Sequence, residues 1–130
     1  MPEDRDRFDQ FLEDVLEALP AELKDLLEEV PLIVEDQPDA ETRRRMGLRG
    51  SLDLCGLYTG IPLTKRSVEH SGTLPDAITI FRRGIIASAA GRDERVRDAA
   101  LRRQIRITVL HEIGHHFGLT EEHLRRYGYG

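Results

Sequence analysis

Leu101, Ile105, Val109, Ile113 and Phe117 recur every four residues without a break near the end of the chain. That spacing lines one face of an α-helix, and an apolar face of such length has to be buried. Any fold this chain adopts must therefore seat the helix in its core. The same helix carries His111, Glu112 and His115 in the order His-Glu-x-x-His. Residues four apart share a helix face, with Cβ atoms about 5–6 Å apart. Two imidazoles so placed can reach one metal ion at about 2.0–2.1 Å per nitrogen. Glu112 adjoins the first imidazole but points elsewhere around the helix. It can reach a water on the metal without ligating the metal, which is where a general base stands in metal-assisted hydrolysis.

Gly118 follows His115 by three residues, where a helix can end by entering the left-handed region that glycine tolerates. A chain that turns back there can bring the side chain three residues further on towards the metal. Glu121 holds that position, and a carboxylate oxygen is an ordinary third zinc ligand. A histidine-rich helix end could also reflect only the negative end of the helix dipole. The unbroken apolar stripe argues against this, because a packed helix is held in place while a fraying polar end is not. His116 shares a face with Glu112 and projects about 100° away from His115. It is read as a supporting or structural side chain in preference to a ligand.

The 130 residues are expected to form a single domain, 1–130, with a real core. A hydrophobic content of 39% beside 33% charged residues is that of a soluble globular protein. The net charge of −5 argues against a nucleic-acid surface, and the basic runs Arg43-Arg44-Arg45 and Arg102-Arg103 read as solvated helix faces. The single Cys55 excludes an internal disulfide and fits a reducing compartment. No apolar run approaches the ~20 residues of a membrane span. The charged opening Met-Pro-Glu-Asp-Arg-Asp-Arg does not read as a signal peptide. The expected location is the cytoplasm.

Phe8, Phe11, Leu12, Val15, Leu16 and Leu19 predict an opening helix, and Pro20 suits the first turn of a second one bearing Leu23, Leu26, Leu27 and Val30. Residues 31–36 predict a short strand, 39–46 a surface segment with one helical turn, and 52–58 a second strand. A loop is expected from Gly60 through Gly72. Ala77–Arg82 is the clearest strand, with Ile78 and Ile80 on the core face and Thr79 and Phe81 on the other. Gly91-Arg92-Asp93 is expected to open the metal helix, and a short last helix runs from Thr120 to about Tyr127, carrying Glu121 near its start. This order is α+β: a small mixed sheet packed on the long metal-binding helix. Ala77–Arg82, the last strand before that helix, is the candidate edge strand for an extended peptide docked by strand addition.

Several stretches together resemble the minimal zincin-like metallopeptidases, a family of small bacterial proteins. They are Ile33-Val34-Glu35-Asp36-Gln37-Pro38, the run from Leu54 to Leu63, the run from Leu74 to Arg82, and His111–Gly118 with Gly128-Tyr129. The likeness covers roughly residues 30 to 129. It implies a zincin-type fold and a metal held by His111, His115 and an acid three residues after the glycine, here Glu121. A glutamate is one methylene longer than the aspartate of the related Asp-zincins, so the turn after Gly118 must accommodate it, or Glu122 or water takes its place. Metzincins also carry a methionine turn below the metal, and no methionine follows Met46.

The expected activity is that of a zinc-dependent metallopeptidase, a hydrolase with one Zn²⁺ per chain. It would cleave peptides or unfolded protein segments by a metal-activated water, with Glu112 as general base. Tyr58, His70, Tyr127 and Tyr129 are the conceivable donors of a second hydrogen bond to the oxyanion. The alternative is a non-catalytic, metal-containing module that binds peptide or protein in the same cleft.

Overall fold

The computed structural model describes residues 2–48, 50, 54–59, 77–90, 97–118 and 121–126. Its elements run α1 (Pro2–Ala18), α2 (Ala21–Glu29), β1 (Leu32–Glu35), α3 (Ala40–Met46), β2 (Gly56–Thr59), β3 (Ala77–Phe81), α4 (Arg82–Ala90), α5 (Asp98–Phe117) and α6 (Glu121–Arg126). Among the described residues no helix is long and apolar enough to cross a membrane.

The apolar stripe behaves as its spacing demands. Leu101, Ile105, Val109 and Ile113 are buried, and α1 lays Phe8, Phe11, Leu12 and Val15 in the same core. Burying a side chain of this kind contributes about 1.5–3 kcal/mol, so the packed face, and not helix propensity, holds α5 where it is. The last turn of α5 ends at Gly118, whose φ of 66° lies in the left-handed region, and its amide donates to the Gly114 carbonyl. The helix starts at Asp98, after an extended Arg97, so it is shorter than the run from Gly91 that the sequence suggests. Residues 91–96 lie outside the described residues.

The sheet corrects one expectation. Its order is β1-β3-β2, with β3 parallel to β1 and antiparallel to β2. Ala77–Phe81 is therefore the central strand among the described residues and not an edge. Both of its sides are paired, and Ile78, Ile80 and Phe81 are buried, as a strand covered by its neighbours should be. The edge nearest α5 belongs to Gly56–Thr59.

Two further elements depart from the sequence reading. Residues 40–46 make a full short helix, capped by the Asp39 side chain on the Thr42 amide at 2.7 Å and closed by Gly47 at φ 68°. A second helix, α4, follows β3 directly where no element was expected. It is anchored at Arg82, which donates to Asp9 of α1 at 2.9 and 3.1 Å and to Asp36, just past β1, at 3.0 Å. Further along α4, a Cβ at Gly84 would stand 2.1 Å from the Leu54 carbonyl oxygen. Only a glycine lets the helix lie on that backbone, and the contact sets the approach to β2. Beside it, Cys55 Sγ lies 3.3 Å from Ser88 Oγ.

Candidate metal centre

Along β2 the pairing with β3 decides which groups face outward. The Phe81 amide donates to the Cys55 carbonyl at 2.8 Å, and the register places Gly56 opposite Ile80 and Tyr58 opposite Ile78. Antiparallel pairs alternate between bonded and non-bonded, so Gly56 and Tyr58 turn their N–H and C=O groups away from β3. The Tyr58 amide donates to the Glu112 carboxylate. Gly56 lies so close that an added Cβ would be 3.0 Å from Glu112 Cγ and Oε2 and 3.1 Å from Thr108 Cγ2.

Glu112 is buried at 4% exposure, between its exposed neighbours His111 and His115. Burial pushes its carboxyl above the usual carboxylate range; the charge of His111 and the Tyr58 amide work the other way without cancelling it. Its Oε1 has no hydrogen-bond partner. That oxygen is 3.2 Å from His115 Nδ1 but is not aligned with it as a hydrogen bond. The rings of His111 and His115 sit edge to face with centroids 4.2 Å apart. One potential ligand atom from each of His111, Glu112 and His115 falls within a 4.8 Å group. The three border an open cleft of about 470 Å³, whose other walls are Met46, Leu54, Gly56, Leu57 and Tyr58.

These residues fit a divalent metal ion. Two imidazoles on one helix face are donors that zinc takes, and beside them stands a buried carboxylate oxygen without a hydrogen-bond partner. The structure brings His111, Glu112 and His115 together. Glu121 is the first residue of α6, which follows the turn at Gly118, and its side chain lies outside the described residues. His70, Tyr127 and Tyr129 also lie outside them. Tyr58 is at the site, but its hydroxyl shares a 3.0 Å hydrogen bond with Nδ1 of the buried His116. His116 stands outside the ligand group and packs edge-on against Phe117, with centroids 4.2 Å apart.

Sequence reasoning missed Gly56, Leu57 and Met46 as parts of the site. Gly56 carried a usable signal, since an isolated glycine in a strand-like run marks close approach of another group. Met46 carried none, because an exposed methionine at the end of a surface helix looks like any other.

A small mixed sheet laid on a core helix, with His-Glu-x-x-His facing a cleft beside an edge strand, defines a metallopeptidase-type α+β domain. The family model described as zincin-like metallopeptidase matches residues 27–129. The chain belongs to the zincin-like metallopeptidase family. No curated protein compared with it matches.

Proposed function

We propose that this protein is a zinc-dependent peptidase acting on extended peptides or unfolded protein segments. In this reading His111, His115 and Glu121 hold one zinc ion per chain and Glu112 is the general base. The supporting observation is Glu112 itself: a buried carboxylate with one unpartnered oxygen, facing an open cleft between two helical imidazoles. A merely structural carboxylate so well buried would have both oxygens satisfied.

Zinc, when bound, supplies Lewis-acid polarisation and an acidified water. The remaining work falls to the chain. Glu112 takes a proton from the attacking water, and burial raises its affinity for that proton. It then gives the proton to the departing amine. The peptide-docking role expected for Ala77–Arg82 passes to β2, whose outward Gly56 N–H and C=O suit strand addition. Met46, 47% exposed, stands with Leu54 and Leu57 at the cleft wall and favours an apolar substrate side chain. Unfolded segments expose such side chains.

Elemental analysis of untagged protein is expected to find one zinc per chain, and His111→Ala with His115→Ala is expected to lose it. Retention of stoichiometric zinc by the double variant would refute the site. A peptide library screened with zinc-loaded protein should give cleavage next to apolar residues. Gly56→Ala should keep zinc but lose turnover by about 10- to 100-fold, since the new methyl displaces the Glu112 carboxylate from its place. Unaltered turnover in Gly56→Ala would mean that the close approach is not used.

A further inference from the structure

Tyr58 makes two separate contacts with α5, and they fall one helical turn apart. Its amide donates to the carboxylate of Glu112, and its hydroxyl shares a hydrogen bond with Nδ1 of His116. Positions 112 and 116 share a helix face, so one residue of β2 spans one turn of the metal helix. We infer that His116 is a positioning residue that acts through Tyr58, pinning β2 to α5 so that the Tyr58 amide fixes the Glu112 carboxylate. The inference rests on the reading of Glu112 as the base.

Three observations carry it. First, Glu112 Oε1 has no hydrogen-bond partner and only an unaligned approach from His115 Nδ1, so the direction in which that oxygen points depends on what restrains the rest of the carboxylate. The Tyr58 amide is that restraint. Second, β2 is an edge strand among the described residues, hydrogen-bonded to β3 on one side only. On its outer side the Tyr58–His116 bond ties it to α5. Third, His116 is 2% exposed, so its bond to the hydroxyl is shielded from competing water. Gly56 completes the arrangement, since a side chain there would press on the Glu112 carboxylate and on Thr108.

The test follows single amides by hydrogen exchange in the zinc-loaded full chain. The residue-58 amide bonds to Glu112, whereas those of Leu57 and Thr59 face β3. Tyr58→Phe deletes the hydroxyl, and His116→Leu replaces the ring that bonds to it and packs on Phe117. Each is expected to speed exchange at residue 58 at least tenfold, with Leu57 and Thr59 protected as before and zinc content unchanged. His116→Asn, whose side chain can place a polar atom near the position of Nδ1, is expected to restore most of that protection. For a cleaved peptide, kcat should fall in Tyr58→Phe while KM changes little. Residue-58 protection equal to wild type in both deletions would overturn the inference. Equal acceleration at all three amides would do so as well, because that marks general loosening. If His116→Leu does not fold, Tyr58→Phe decides alone. A wild-type protein that cleaves no peptide removes the peptidase reading, while the exchange result still decides the pin.

Discussion

Glu112→Gln is expected to lower peptide turnover by about 10²–10⁴-fold while zinc content stays at the wild-type level. Glutamine keeps the length of the side chain and can still accept from the Tyr58 amide, so the geometry around α5 should survive. What it loses is the ability to take and return a proton. The measurement is paired: elemental zinc and steady-state kinetics on the same preparation. Full turnover in the variant would reject Glu112 as base. The same pair of measurements separates the peptidase from its alternative. A non-catalytic module would bind peptide and zinc with Glu112 or glutamine alike, and the wild-type protein would cleave nothing in a broad library.

The second large effect is on stability. Gly84→Ala places a methyl 2.1 Å from the Leu54 carbonyl oxygen and 2.7 Å from its carbon. Both atoms are backbone, so no side chain can swing aside and α4 itself must retreat. Overpacking of this kind costs about 1–3 kcal/mol and occasionally more. Alanine returns about 1 kcal/mol through its better helix propensity. At 2.1 Å from a backbone atom the clash takes the upper end of that range, about 3 kcal/mol, so a net loss of about 2 kcal/mol should lower the melting midpoint by roughly 6–10 °C in a chain of this length. Zinc affinity should change little, because His111 and His115 sit on α5. An unaltered midpoint would show that α4 slides freely over Leu54 and Cys55.

Gly84 also shows why part of the fold was illegible. Arg82-Arg83-Gly84-Ile85-Ile86 carries a glycine in the first turn and paired β-branched residues, so local preference there speaks against a helix. The helix forms because Arg82 is held by Asp9 and Asp36, far away in the chain, and because the glycine admits the Leu54 backbone. Ala77–Phe81 was legible as a strand from its own residues. Its central place was not, since the alternation of Ile78 and Ile80 gives the buried face but not how many neighbours pair with it.

The sequence by itself determined the buried helix α5, the placing of His111 and His115 on one of its faces with Glu112 beside them, and the left-handed stop at Gly118. All of these are set within one or two helical turns, where spacing dictates geometry. Tertiary structure alone decided that β2 borders the cleft, that Gly56 and Tyr58 meet Glu112, that His116 binds Tyr58 and that Met46 reaches the cleft wall. Those contacts join residues some 50 or more positions apart in the chain, and their closeness follows from how the layers pack, which no local periodicity records.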